Sequence, residues 1–318
     1  MSASSHEHES PALGEVREVS DGIFAYVQPD GTWWINNTAF LVGRGGVAAI
    51  DACATESRTR GLLDAIREAS AAPVRTLVNT HHHGDHTHGN YLFDAATIVA
   101  HERTREAVLA EGVPPNSRLI ASGAWGPVDW GRLEVAAPFL TFTDEVTLYV
   151  DELRCVVRHV GTAAHTTNDS IVWVPERDVL ITGDLLFNGG TPFVVMGSVA
   201  GAIEAVEGLK TYEAQTIIPG HGPIAGPELI DDVLRYLRFV QQLATDAKAA
   251  GLDPLTAARE ADLGEFADLT DSERLVGNLH RAYLELDGHA PGTPLPNPVA
   301  VIADMVALNG GRPLTCHA

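Results

Sequence analysis

Three cysteines in 318 residues, Cys53, Cys155 and Cys316, are too few and too widely spaced for a disulfide framework, and no Cys-x-x-Cys pair is present. Cationic side chains are also scarce. Against 42 Asp and Glu stand 21 Lys and Arg, a formal net charge of −21. That field repels polyanions, so nucleic acid and anionic membrane surfaces are poor partners, a small local basic patch aside. No run of 18 apolar residues occurs, which excludes a transmembrane helix. The opening segment, Met1 to Leu13, is polar and has no apolar core, which predicts no secretory leader and a cytoplasmic location.

What remains is an ordinary globular composition, 45% hydrophobic and 20% charged, with enough chain for a sizeable core. Residues 1–15, rich in Ser, His and Glu, read as a disordered tail in which His6 and His8 are solvated. Strand-like runs follow at Gly22–Val27, Trp33–Val42 and Val47–Asp51, separated by Pro-Asp-Gly and Gly-Arg-Gly-Gly turns. Arg58–Ala69 has helical spacing, Val74–Asn79 and Thr97–Ala100 read as short strands, and His101–Glu111 as a helix. Leu133–Val160 predicts several antiparallel strands. Ser170–Val174 and Val179–Thr182 flank a Pro-Glu-Arg-Asp turn, a hairpin signature, and Thr216–Pro219 is a last strand. This alternation points to an α/β sandwich over residues 16–226. From Pro227, suited to the first position of a helix, the pattern turns helical: a long amphipathic segment, then Pro254–Glu260, Asp271–Leu286 and Pro298–Leu308. Residues 227–318 are therefore read as a helical C-terminal extension, placed to cover a cleft or to form a homodimer interface.

The informative segment is Thr80-His81-His82-His83-Gly84-Asp85-His86-Thr87-His88, with five of the chain's 14 histidines in eight residues. His81 and His83 are two apart, so on an extended strand end they point the same way. Gly84 permits a turn that presents Asp85 and His86 in a second direction. Two imidazoles on one side and a carboxylate plus imidazole on the other suit two metal ions sharing one pocket. Imidazole and carboxylate together favour zinc, and accept iron or manganese. A histidine tag would lie at a terminus and lack the Gly-Asp-His punctuation. Three further residues stand at strand ends beside Gly or Thr: His165 after Val160-Gly161-Thr162, Asp184 in Thr182-Gly183-Asp184, and His221 in Pro219-Gly220-His221-Gly222.

This order of motifs, with Asp51 after an early strand, resembles the metallo-β-lactamase superfamily over roughly Gly22 to Gly226. The resemblance implies a four-layer αβ/βα sandwich with two divalent metals at one edge. It assigns His81, His83 and His165 to one metal, Asp85, His86 and His221 to the other, Asp184 to the bridge, and Asp51 to orienting the ligand loop. It also narrows the activity. Superfamily β-lactamases carry a cysteine where Asp184 stands, or lack the bridging aspartate, so antibiotic hydrolysis is disfavoured. Redox members carry a carboxylate at His83, and the tRNA-processing nucleases conflict with the −21 charge. Acyl-homoserine lactonases have a tyrosine three residues beyond the bridging aspartate, where this chain has Phe187.

The loop from Leu185 to Ser198 is strongly apolar, and with Trp33, Trp34, Phe187, Phe193 and Met196 it is expected to line a cleft for a flat, apolar substrate. Trp125 and Trp130 add further rings. The stretch Gly183 to Gly201 and the segment Asn278-Leu279-His280-Arg281-Ala282-Tyr283 resemble aromatic polyketide cyclases of actinomycetes, of the second-ring cyclase type. That resemblance implies a thioesterase/cyclase acting on a carrier-bound acyl substrate. The alternative is a general hydrolase of a small-molecule ester or lactone.

The expected chemistry is attack on a carbonyl by a hydroxide bridging two metals, since one zinc already brings its water to a pKa of about 7. Asp85, carrying a proton to the leaving group, and Asp184 are the candidate catalytic carboxylates. Tyr212, His88 and His159 are candidate outer groups.

Overall fold

The computed structural model describes residues 14–28, 30–114 and 123–318. In chain order the elements are β1 (Glu15–Ser20), β2 (Ile23–Val27), β3 (Thr38–Gly43), β4 (Gly46–Ile50), α1 (Glu56–Ala69), β5 (Val74–Val78), α2 (Gly84–Thr87), β6 (Thr97–His101), α3 (Glu102–Glu111) and β7 (Leu140–Phe142). The second half adds β8 (Glu145–Val150), β9 (Leu153–His159), β10 (Ser170–Val174), β11 (Val179–Phe187), α4 (Val199–Leu209), β12 (Thr216–His221), α5 (Glu228–Ala249), α6 (Pro254–Glu260), α7 (Arg274–Leu286) and α8 (Pro298–Leu308). Strands β1 to β7 form one sheet in sequence order, antiparallel up to β4 and parallel from β4 to β7. The second sheet runs β12-β11-β10-β9-β8, with only β11 and β12 parallel.

Three cores show why the layers stack. Ile23, Leu41 and Ile50 of the first sheet meet Val157, Val172 and Ile181 of the second in a buried interface. Each such side chain contributes roughly 1.5–3 kcal/mol relative to exposure. The other face of the first sheet packs Phe40, Ala49 and Leu77 against Leu62, Leu63 and Ile66 of α1. The other face of the second sheet packs Ile171, Leu180 and Ile217 against α4 and α5. The result is a four-layer αβ/βα sandwich. Strand β11 is buried at all nine positions, as expected of a strand covered on both faces.

Several local readings change. The reading of residues 1–15 as a tail ends one residue late, because Glu15 opens β1. That edge strand is polar enough to pass for tail. The strand expected over Trp33–Val42 begins only at Thr38. Ahead of it, Asn37 turns away to the second sheet: its N–H donates to the Gly220 carbonyl at 2.6 Å, and its Nδ2 to the Pro219 and Gly222 carbonyls. Leu133–Val160 is not one antiparallel set, because β7 pairs parallel with β6 and the chain then crosses to the second sheet. Pro227 is the N-cap rather than the first residue of α5, and α7 starts at Arg274, with Asp271 at φ +54 outside it. His6 and His8 lie outside the described residues. Among the described residues no helix is long and apolar enough to cross a membrane.

The helices after β12 pack on the second-sheet side. Leu229, Ile230, Val233, Leu234, Leu237 and Val240 bury one face of α5, and α7 and α8 share the same core through Leu275, Leu279, Val301 and Met305.

At the sheet edge where β11 and β12 meet, close approach demands glycine. A Cβ on Gly220 would sit 2.0 Å from Asp184 Oδ1 and 2.7 Å from the Gly183 carbonyl carbon. Gly220→Ala is expected to cost about 1–3 kcal/mol through overpacking and to displace Asp184. The check is a lowered Tm together with weakened divalent-metal uptake; a variant with wild-type metal affinity would contradict it.

Candidate metal centre

The elements deliver their polar residues to one edge. His81, His82 and His83 follow the end of β5 after two intervening residues, and α2 carries Asp85 and His86. His165 stands before β10, Asp184 lies within β11, and His221 closes β12. Parallel pairing of β11 with β12 sets Gly183 opposite Pro219 and Phe187 opposite His221. Segments far apart in sequence thus converge on Asp184.

The structure brings these side chains together in two groups with one shared member. His81, His83, His165 and Asp184 form the first; Asp85, His86, Asp184 and His221 form the second. Within each, the candidate ligand atoms lie within 4.8 Å of one another. Asp184 Oδ2 is 3.4 Å from His165 Nε2, 3.3 Å from His221 Nε2 and 3.9 Å from His81 Nε2. Asp184 Oδ1 faces His86 Nε2 at 3.0 Å, yet neither atom makes a hydrogen bond. His81 Nε2 is likewise buried and without a hydrogen-bond partner. Buried polar atoms are nearly always satisfied, so orphaned atoms converging on one point mark a place for cations.

The ring nitrogens facing away tell the same story. His81 Nδ1 meets Thr80 Oγ1 at 3.0 Å, His86 Nδ1 meets Asp51 at 2.8 Å, and His221 Nδ1 meets the Gly31 carbonyl at 3.1 Å. His165 Nδ1 bonds the Phe193 carbonyl, and His83 Nε2 lies 3.1 Å from Met196 Sδ. Each ring is fixed from outside and offers its other nitrogen inward, as metal-binding imidazoles do. Five imidazoles and two carboxylates without a thiolate fit a pair of divalent ions. Asp51 sits at φ +62, where its carboxylate accepts from Thr80 N, Thr80 Oγ1 and His86 Nδ1.

The remaining sequence candidates divide. Phe187 stacks on His221, ring centroids 5.0 Å apart and ring planes nearly parallel. Phe193 is partly buried, and Met196 is 38% exposed. Trp33 and Trp34 are buried packing residues rather than an open wall. Trp33 donates Nε1–H to Glu273 at 2.7 Å, and the Arg274 guanidinium lies over its ring at 4.2 Å. Trp34 stacks on His88 and meets Trp125 and Trp130 edge-on. His88 bonds the Ala54 carbonyl, His159 stacks on His101, and Tyr212 receives Arg158 at 3.3 Å; none joins either ligand group. Buried Cys53 has its thiol pushed up to about 12 by desolvation, which keeps it protonated. Sequence reasoning missed Thr80, Glu273, Arg274 and the carbonyls of Gly31 and Phe193. Thr80 adjoins the histidine motif and could have been read from it. Backbone acceptors carry no residue-type signature.

Burial opposes charge on His221, but Asp184 and Asp85 outweigh it and raise its pKa to about 9. Burial likewise opposes charge on His86, and Asp184, Asp51 and Asp85 raise its pKa well above the usual value. His81 and His83 are driven well below it, by burial first and then by neighbouring imidazoles. Since the folded pKa of His221 lies above its unfolded value, its ion pairs stabilise the metal-free fold fully below about pH 6.5. That contribution is lost as pH rises through about 9. Metal must displace these protons, so uptake at pH 7 is expected to release protons from His221 and His86, and affinity should rise toward pH 9. Calorimetric titration in buffers of different ionisation enthalpy measures this; uptake at pH 7 with no proton release would contradict it.

The sequence profile of the Metallo-beta-lactamase superfamily matches residues 31–221. Among curated proteins, a metallo-beta-lactamase type 2 of Bacteroides fragilis is 23% identical over 230 residues, covering 68% of this chain and 82% of the relative. A hydroxyacylglutathione hydrolase of Rhodospirillum rubrum is 27% identical over 204 residues, covering 64% and 68%. Among solved structures, a metallo-beta-lactamase from Pontibacter korlensis superposes with a TM-score of 0.59 at 20% identity, covering 71% of this chain and 99% of that one. The chain belongs to the metallo-β-lactamase superfamily.

Proposed function

We propose that this protein is a dinuclear-metal hydrolase that cleaves the carbonyl–heteroatom bond of a thioester or ester. The observation that carries the reading is the pair of ligand groups joined through Asp184, His81/His83/His165 on one side and Asp85/His86/His221 on the other. Two divalent ions held there, most simply zinc, would polarise a carbonyl oxygen and make water nucleophilic at neutral pH. The chain's own residues do the rest. Asp184, its side chain 4% exposed, holds both ligand groups in register. Asp85 keeps 11% exposure and stands 3.2 Å from His221 Nε2, so it is the carboxylate placed to pass a proton to the leaving group. Phe187, stacked on His221, narrows the access of bulk water to that side.

The acyl substrate is a small molecule or is carrier-bound. Likeness to a protein named hydroxyacylglutathione hydrolase supports an acyl substrate. The finer reading, a thioesterase/cyclase on an aromatic polyketide, rests on the sequence resemblance at Gly183–Gly201 and Asn278–Tyr283 and on the Phe187 ring beside His165 and His221.

Thiol release from aromatic β-keto and aliphatic acyl thioesters, with and without chelator, tests both. Chelator-sensitive release is expected, and a cyclised product from the aromatic set would support the finer reading. No release from metal-loaded protein would redirect the assignment to oxygen esters or lactones. His83→Ala should lower turnover by at least about 100-fold, since even partners outside the ligand set are worth 10–100-fold. Unchanged turnover in a folded His83→Ala protein would sink the assignment.

A further inference from the structure

Helix α7 lies well outside the histidine motif, yet one of its faces bonds repeatedly to the loop that follows β11; the side chains of that face also reach Tyr236, Asp271 and Thr293. Arg274, Asn278, Arg281 and Glu285 recur at helical spacing and so share a face. Arg274 Nη1 donates to the Thr191 carbonyl at 3.0 Å. Asn278 makes a two-way bond: Nδ2 donates to the Pro192 carbonyl at 2.8 Å, and Oδ1 accepts from Val194 N at 2.9 Å. Arg281 donates from Nε and Nη2 to the Val195 carbonyl, at 2.9 and 2.6 Å. Glu285 accepts from Val199 N and Ala200 N at the head of α4.

Between the groups held by Asn278 is Phe193, whose carbonyl bonds His165 Nδ1. One residue past Val195 is Met196, whose sulfur touches His83 Nε2. His165 therefore rests on backbone that α7 holds, and His83 touches the side chain of the residue that follows Val195. The helix also approaches closely. A Cβ on Gly277 would lie 2.8 Å from Val195 Cγ2 and 3.1 Å from Phe193 Cε2. A glycine inside a helix costs about 0.5–1 kcal/mol relative to alanine, and here it lets the helix seat against the loop. Arg274, Asn278 and Arg281 are all buried, so removing any of them strands backbone carbonyls away from water.

We propose that α7 is a positioning element for one metal subsite. Arg274, Asn278 and Arg281 hold the Thr191–Val195 backbone so that the Phe193 carbonyl aims His165 Nε2 at the His81/His83 side, while the Asp85/His86/His221 side is independent of them. This rests on the dinuclear reading above. Its specific content is an asymmetry between the two subsites. None of these three side chains touches Asp85, His86 or His221. The Arg274 guanidinium does pass 5.2 Å from the Phe187 ring that stacks on His221, so Asn278 is the cleaner probe.

The experiment titrates the metal-free full chain with zinc and with cobalt, following heat and the cobalt spectrum, in wild type, Asn278→Ala and Asn278→Asp. His280→Ala is the control, since His280 pairs with Asp304 of α8 and makes no bond to the loop. In Asn278→Ala, affinity at one of two sites is expected to fall about 10–100-fold, the loss typical of a removed outer partner, with the other site unchanged. Asn278→Asp keeps an oxygen for Val194 N but loses the donor to Pro192. It should show the same one-sided loss if Asn278→Ala does not fold. His280→Ala should bind as wild type. Wild-type affinity at both sites in folded Asn278 variants, or an equal loss at both, overturns the proposal. Failure of the wild-type chain to take up two ions would instead overturn the dinuclear reading itself, so the two failures are distinguishable.

Discussion

A carboxylate buried among imidazoles has to be neutralised, and Asp184 is the point at which this chain solves that problem. It lies within a strand buried at every position, and its two oxygens face His165, His221 and His81 on one side and His86 on the other. Burying an unpaired carboxylate is prohibitively costly, so the surrounding histidines are a requirement of the fold as well as of chemistry. Bringing them there takes both sheets. The first sheet supplies the histidine motif after β5, the second supplies Asp184 and His221 from its parallel pair, and Asn37 ties the two together at the Gly220 carbonyl. Gly220 marks how tight the junction is, since even a methyl group there would collide with Asp184.

Much of this was legible because the motif is local. His81, His83, Asp85 and His86 are near neighbours, and their geometry follows from extended and turn backbone. His165, Asp184 and His221 were legible as polar residues beside Gly or Thr next to apolar runs, although Asp184 lies inside β11 rather than at its end. The layered fold followed from strand and helix periodicity. The illegible parts are those whose cause is distant. Trp33 reads as a strand residue by composition, but Asn37 must turn toward β12, and the ring is packed by Arg274 more than two hundred residues away. The chain's change of sheet after β7 leaves no mark in the β-forming pattern of Leu133–Val160, because pairing partners are not encoded by propensity. The carbonyls that orient His165 and His221 belong to Phe193 and Gly31, and any residue type would supply one.

The helical segments after β12 illustrate the difference between covering a core and shaping a site. Helix α5 does the former, its apolar stripe closing the outer face of the second sheet. Helix α7 buries apolar residues too, but it also commits Arg274, Asn278 and Arg281 to main-chain groups of one loop. A buried arginine carries a large desolvation cost, which burial registers by lowering the pKa of Arg281. Apolar residues of similar size would pack such a surface at less cost. What they could not do is satisfy the carbonyls of a loop that forms no strand of its own. The polar face thus supplies main-chain partners that a neighbouring strand would otherwise provide.

At the centre of the site, neighbouring carboxylates raise the pKa values of His86 and His221, so protons compete with cations for these imidazoles. A small zinc finger without metal has nothing to hold it together and unfolds. Here three apolar interfaces hold the frame around the ligand groups. Metal uptake would exchange protons for cations inside that frame. Its selectivity between ions then depends on how rigidly the frame holds each imidazole, because the ligand types alone accept zinc, iron and manganese. Thr80, Asp51, the Gly31 carbonyl and the α7-held Phe193 carbonyl are accordingly as much determinants of the site as the nitrogens they orient.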